Sequence, residues 1–495
     1  MPQPSTSTSI VQQPKHFEAV PVELWMKIFE LTTSNGADAI LPHRSRAPMS
    51  ISHTCVLWRV IATESSSLWT IISAKTYPLL QVGRKSEVGI SPRLPLTDLW
   101  LKRSRNLPIS IDLAGTWDYR NNKKVKQYFR RLAVDFSRWK SASLDLRNFG
   151  SECRAELERH ATGASMLEDL KIDLGLDYRP SILRSVPSVI WRNAPRLRTF
   201  SIRITWAHEG MTDDLLNWAT AAHIPYRQLT YLQLDLSHIE EQTISATQII
   251  SIFRQSLDLV SCYITSISHV WNWEPVSPPI LLNSLRHLHL STSQLDFDQG
   301  DTLPLAWLLN CLTTTSLVAL TVAYDLCWDR EQFSSFITRS SCSLENLSLY
   351  ATPLDPDEFI DCLRINPSLT QLHRSQLPDR PSYINLEVVQ AMTAWDTQKA
   401  GFSLCPNLQE LSFDYFLELS RAERDFLGQL LQERLHPPSR SSPFTTLQVV
   451  EYDEDQGVGY EVVLSEFDWL CQPPLNLTIN QAKEFHEPWR VGDGL

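Results

Sequence analysis

The sequence predicts an α/β chain in two parts: a short helical module, then a long array of strand–helix units. Three observations carry the prediction. Apolar residues fall at helical spacing in residues 17–75, a leucine-rich hexapeptide returns ten times from Leu167 onward, and the chain is long enough to bury a large core. Of its 495 residues, 43% are hydrophobic and 20% charged, a globular balance.

Residues 1–16 are rich in Ser, Thr, Gln and Pro, have no apolar stretch of the kind a secretory leader needs, and are expected to form a disordered tail. Val22–Thr32 (VELWMKIFELT) then places Leu24, Ile28 and Leu31 at helical spacing, with Trp25 and Phe29 beside them. Pro21 stands at the helix start, where a missing N–H costs nothing. A polar loop with Asn35-Gly36, Pro42 and Pro48 follows. Ile51–Thr63 reads as a second helix with Cys55, Trp58 and Ala62 on one face. Ser65-Ser66-Ser67 breaks it, and Leu68-Trp69 opens an apolar stretch through Ile72. So small a module has too little core to stand alone comfortably and needs a partner or a following domain. Periodicity leaves both readings open, a docking element or a cap on the array.

The order of particular residues says more. Val20-Pro21-x-Glu23-Leu24, Ile28-Phe29, Cys55-x-x-Trp58-Arg59, Ile61-Ala62 and Leu68-Trp69 resemble the F-box, which runs Leu-Pro-x-Glu-Leu, a helix, Val-Cys-x-x-Trp and Leu-Trp. Val20 stands for Leu and Thr54 for Val, and the loop from Thr33 to Ser50 is somewhat long. The resemblance implies docking to a Skp-type adaptor and, through it, to a cullin. It gives Val20, Pro21, Leu24, Ile28, Phe29, Cys55, Trp58, Leu68 and Trp69 as adaptor-binding residues, some of which must instead hold the module together.

Residues 76–94 read as a linker and 95–460 as the array, with 461–495 a C-terminal cap or tail. The unit Leu-x-x-Leu-x-Leu, with conservative swaps, begins at Leu167, Leu197, Leu229, Leu259, Leu285, Leu317, Leu344 and Leu408, with weaker copies at Leu369 and Leu447. Steps between first leucines run from 25 to 39 residues. One amphipathic motif explains one or two such copies, not a series. The pattern is the signature of leucine-rich repeats, in which stacked units hide each other's strand edges and apolar faces. The expected result is a solenoid with parallel strands lining a curved face and helices outside. The longer steps leave room for helices at Thr212–Ala222, Thr243–Gln255, Thr302–Leu312, Arg330–Thr338, Asp355–Arg364, Asn385–Thr397 and Arg421–Arg434. Leu99-Trp100-Leu101, Arg103-Ser104 and Leu107-Pro108-Ile109 are similar to a segment that follows the F-box in many F-box proteins of mushroom-forming fungi. With Trp139-x-x-Ala142-x-Leu144, they place degenerate first units near residue 95.

Several function classes drop out. Lys+Arg is 45 against 56 Asp+Glu, a net charge of −11, which disfavours a nucleic-acid partner. There are only 15 glycines and no phosphate-cradling spacing; Gly457-Val458-Gly459 follows an acidic run. The nine cysteines are scattered, without a Cys-x-x-Cys pair, and read as reduced thiols in an intracellular chain, cytoplasmic and/or nuclear. No apolar run of about 18 residues occurs, so no membrane span is expected. No nucleophile elbow, zinc-helix motif or kinase loop set appears, so the reading is a non-catalytic chain without cofactor or metal.

Side chains alternate along a strand, so residues between the core leucines are expected on the solvated face. His287 and His289 share that face but lack a third ligand for zinc. Tyr231, Gln233, Asp235, Tyr350, His373, Glu410, Ser412, Asp414, Glu451 and Asp453 join them, and the face becomes acidic toward its end. A target protein is the expected ligand there, and the acidic end suits a basic surface on it, with His287, His289, Tyr350, Glu410, Asp414, Glu451 and Asp453 as contact candidates. The functional expectation is a substrate-recognition subunit of a Skp–cullin–F-box ubiquitin ligase; the alternative is a repeat scaffold whose helical module is only a cap.

Overall fold

A computed structural model describes residues 20–34, 47–73, 94–113, 123–145, 163–175, 194–206, 224–236, 244–267, 277–292, 305–325, 328–374, 385–415, 421–435 and 446–451, with Glu156, Arg159, His160 and Trp191. The expected tail, linker, C-terminal cap and helix at Thr212–Ala222 lie outside these residues, as does Asp453. The chain forms two compact units, Met1–Asp173 with Ser185–Arg196, and Leu174–Arg184 with Leu197–Leu495.

In the first unit, α1 (Val22–Ser34), α2 (Met49–Thr54) and α3 (Val56–Glu64) lead through a 3-10 turn, Ser66–Trp69, into β1 (Ile71–Ser73). Next come α4 (Leu94–Arg103), β2 (Ile109–Leu113), α5 (Lys123–Ala133), β3 (Trp139–Asp145) and β4 (Asp169–Gly175). The strands pair in parallel and in chain order. At the start of α1, the Pro21 carbonyl accepts the N–H groups of Leu24 and Trp25 at 3.1 and 3.3 Å.

The single helix expected over Ile51–Thr63 is in fact two. Cys55 is extended (φ −152°, ψ 173°), and its thiol accepts the Trp58 N–H at 3.4 Å. A side chain that satisfies a first-turn donor lets a new helix begin where the old one stops.

In the second unit, β5 (Thr199–Trp206), β6 (Tyr231–Asp235), α6 (Ala246–Gln255), β7 (Ser261–Ile267), β8 (Ile280–Leu281) and β9 (His287–Thr292) come first. Then follow α7 (Leu305–Asn310), β10 (Leu312–Thr313), β11 (Ala319–Ala323), α8 (Arg330–Ser340), β12 (Asn346–Tyr350), α9 (Pro356–Arg364) and β13 (Gln371–Arg374). The last are α10 (Leu386–Thr393), β14 (Trp395–Asp396), β15 (Gly401–Phe402), β16 (Glu410–Tyr415), α11 (Arg421–Leu435) and β17 (Thr446–Glu451). Strands β5, β6, β7, β9, β11, β12, β13, β16 and β17 form one parallel sheet in chain order. A chain that advances one strand at a time without reversing builds such an order; a doubly wound sheet turns back.

Every leucine hexapeptide meets a strand. The first leucine of each copy from Leu167 to Leu408 is buried, as are apolar residues that alternate along the strand, such as Leu229, Leu232 and Leu234. The backbone repeats with them. The carbonyl after the first leucine accepts two successive N–H groups of the next copy: Arg198 from Thr230 and Tyr231, Thr230 from Val260 and Ser261, and so through Val260, Arg286, Val318 and Glu345 to Thr370, all at 2.7–3.1 Å. Register is thus fixed while step length varies, so the variation falls in the connections.

Helices α6 and α9 begin with capping boxes, Ser245 with Gln248 and Asp355 with Glu358, and Asp329 caps α8. The helix expected over Asn385–Thr397 stops at Thr393. Trp395–Asp396 instead turns back antiparallel on Gly401–Phe402. The Asp396 carboxylate accepts the N–H groups of Gln398 and Lys399 at 2.9 and 3.1 Å, which is turn chemistry competing with helix. Among the described residues, no helix is long and apolar enough to cross a membrane.

Candidate protein-docking surfaces

The helical module is organised around aromatic rings. Trp25 and Phe29 from α1 meet Trp58 from α3 with centroids 4.9–5.9 Å apart, in stacked, tilted and edge-on arrangements. Offset and edge-on contacts of this kind add to the burial they accompany. Trp25 and Phe29 are buried, and Trp58 is half-buried.

Leu68 and Trp69 are buried too. The Trp69 indole N–H donates to the Ala62 carbonyl at 2.7 Å, its ring stands edge-on to Trp100 at 4.7 Å, and the Arg103 guanidinium lies 4.3 Å above it. Phe29, Leu68 and Trp69 therefore hold the first unit together from within. Cys55 is half-buried and serves as the cap of α3.

The remaining residues drawn from the F-box resemblance face outward. Val20 is half-buried and Pro21 exposed, while Leu24 is 55% and Ile28 45% exposed. Sequence reasoning missed others: Val22 and Leu31 on α1, and Val56, Leu57 and Val60 on α3, with Val56 at 73%. Their signal was present, because Val56, Leu57 and Val60 form a helical stripe offset from Cys55, Trp58 and Ala62. Scattered exposed apolar residues are ordinary, but aliphatic stripes on both α1 and α3 of one small bundle call for a cover.

On the second unit's sheet, the residues between the leucines line up across strands as expected, but several are not exposed. His289 is 5% exposed and stacks on Tyr263 at 4.2 Å. Tyr350 is buried against His373, with ring centroids 4.2 Å apart. Gln233, Asp235 and Ser412 are buried as well. The reason is lateral: parallel strands lie only about 4.8 Å apart, so long side chains in one row cover each other even where nothing packs on top. Within the face, Ser201 and Tyr231 donate to Gln233 Oε1 at 2.8 and 3.1 Å, and Arg203 pairs with Asp235 at 2.9 Å. Burial holds the His289 imidazole well below the ordinary histidine pKa.

His287 is exposed, its Nδ1 3.0 Å from Ser261 Oγ, and Glu410 is half-buried. Asp414 and Glu451 are placed by backbone only, one strand apart on β16 and β17. Among the described residues no group of three or more His, Cys, Asp or Glu side chains gathers as a metal centre would need. A shallow cleft of about 400 Å³ opens beside Arg286, Thr315, Ser341 and Glu345, just ahead of the strands. No family model matches the chain, and no curated protein does either.

Proposed function

We propose that this chain is the substrate-recognition subunit of a Skp–cullin–F-box ubiquitin ligase. The helical module holds a Skp-type adaptor, and the repeat sheet holds a target protein. The supporting observation is the division of labour in the module: aromatic residues of the F-box-like pattern pack inward, while Leu24 and Ile28 of the same pattern stay bare on α1, as do Val56 and Val60 on α3. Interfaces concentrate their energy in few buried anchors, and a partner that covers these aliphatic residues supplies the missing burial. The chain then acts by proximity, keeping a target lysine near a charged conjugating enzyme and raising its effective concentration without chemistry of its own.

Co-expression with a Skp-type adaptor tests this reading. The full chain is expected to co-purify with the adaptor, and Pro21→Ala with Leu24→Ala to abolish it while the melting temperature holds. Failure of the wild-type chain to be captured overturns the proposal. The second reading, a repeat scaffold with a helical cap, is favoured by one observation: the module's last residues run straight into β1, which pairs with β2. A chain that folds and stays monomeric with adaptor present supports that alternative.

A further inference from the structure

We propose that the outward face of the second unit's sheet grips an uncharged, extended polar segment of its protein partner through the side-chain amides of Asn346 and Gln371. The inference rests on the target-holding role just proposed for that sheet. It replaces the basic ligand that the sequence favoured.

Two rows of side chains carry the inference; the next row along holds the Arg203–Asp235 pair, whose charges are matched to each other. Tyr231, Ser261, His287, Ala319, Asn346, Gln371 and Glu410 sit in register on successive strands. Two residues further along each strand come Gln233, Tyr263, His289, Thr321, Ser348, His373 and Ser412. Neither row contains Lys, Arg or Asp, and Glu410 stands at one end. A basic or acidic segment laid here loses hydration and meets no counter-charge along most of its length, a net penalty.

The second row is largely committed to itself. Gln233 is bonded by Ser201 and Tyr231, His289 is stacked on Tyr263, and His373 Nδ1 lies 2.7 Å from Ser412 Oγ. In the first row, Asn346 is half-buried and Gln371 exposed, and the two are direct register partners on β12 and β13. Their Cα atoms are therefore about 5 Å apart across the strand spacing. Each primary amide offers an acceptor oxygen and two donor hydrogens, the complement of a peptide group's N–H and C=O. A pair of such amides recognises backbone rather than charge. The ligand class that fits is an extended peptide with Ser, Thr, Asn, Gln or small side chains.

The test is an array of extended peptides in three sets matched for length: uncharged polar, the same with interspersed Lys and Arg, and the same with Asp and Glu. The full chain is probed at low and high salt, beside the double variant Asn346→Ala with Gln371→Ala. The expected result is binding to the uncharged set, little changed by salt and weakened about tenfold in the double variant, the loss of one or two net hydrogen bonds. Preference for a charged set, no binding to any set, or an unaffected double variant overturns the proposal. Adaptor capture, measured on the same preparations, separates the two readings. Capture without peptide binding sinks only the amide grip, and amide-dependent peptide binding without capture sinks only the ligase role.

Discussion

The Trp69 indole N–H bonds the Ala62 carbonyl at 2.7 Å while the ring presses edge-on against Trp100 at 4.7 Å. One side chain thus ties the last helix of the helical module to the helix that leads into β2. The bare stripes of α1 and α3 are presented from this anchor.

Trp69→Ala is expected to destabilise the chain by about 3–5 kcal/mol, the range for a large aromatic removed from a closed core. Trp69→Phe should fall between, because it keeps most of the volume and leaves the Ala62 carbonyl without its donor. Denaturant melts of the three proteins check the order. Equal stability of Trp69→Ala and the wild type would remove the anchor from the account.

Val56→Asp with Val60→Asp addresses the exposed side of α3. Both residues are bare, so each change should stay within about 0.5 kcal/mol on stability. Adaptor capture should fall sharply all the same, because two carboxylates would be buried in an apolar contact. Capture is read by co-purification and stability by melting. Intact capture places the adaptor contact on α1 alone.

The strands were legible because period-two alternation of Leu, Ile and Val states both the element and its buried face. Other features were not. The break at Cys55 depends on a thiol meeting the Trp58 N–H, and no spacing rule encodes that contact. The hairpin at Trp395–Phe402 hides behind apolar residues that also suit a helix. The copy at Leu369 puts Arg374 where its register neighbours carry Leu349 and Phe413, yet Arg374 is buried, its guanidinium over Phe359 and its Nη2 on the Leu354 carbonyl. The inward aromatic half of the module and its outward aliphatic half share one helical pattern. Sorting them required the partner helices. Burial of His289 and Tyr350 needed the adjacent strands, which a single-strand pattern does not contain.

His289 makes stability depend on pH. Its neutral form is favoured in the fold by burial, so its folded pKa lies well below the unfolded value of about 6.5. The unfolded chain therefore binds the proton first as pH falls. The stabilisation is complete above about pH 6.5 and is lost on acidification toward the folded pKa, with a slope of at most about 1.4 kcal/mol per pH unit from this group. His289→Phe, which keeps a ring against Tyr263, should flatten the acid limb of a melting-temperature profile. An unchanged limb assigns the acid sensitivity to other groups.

Asp235 is fully buried and accepts from Arg203 at 2.9 Å and Thr265 at 3.3 Å, while Arg203 keeps part of its surface in water. The pair is asymmetric, so its single variants should be too. Arg203→Ala leaves a buried carboxylate short of its cation and should cost about 3–5 kcal/mol. Asp235→Asn leaves an arginine that can turn to solvent and should cost less. Replacing both by Met and Leu should recover part of the loss, since apolar pairs often replace buried ion pairs without penalty. Arg203→Ala with Asp235→Asn, melted beside the wild type and the two single variants, closes a double-mutant cycle, and strict additivity in it would show that the pair is not coupled.

Arg434 is a charged residue that continues the buried stripe of Leu427, Leu430 and Leu431 on α11. It is buried on α11, donates to the Leu404 and Cys405 carbonyls at 2.7 and 2.8 Å, and lies 4.2 Å over the Phe402 ring. Those carbonyls flank a turn in which Cys405 adopts a left-handed φ of 42°, a conformation that non-glycine residues hold only when the surroundings impose it. The guanidinium fork supplies that imposition by gripping two successive carbonyls at once. Arg434→Met fills the stem's volume but removes both charge-assisted bonds, with an expected loss of about 3 kcal/mol. Arg434→Lys restores the charge without the planar fork and should recover less than half of that. If Lys restores full stability, charge alone holds the turn and the fork geometry is irrelevant; if Met costs nothing, the turn stands without either.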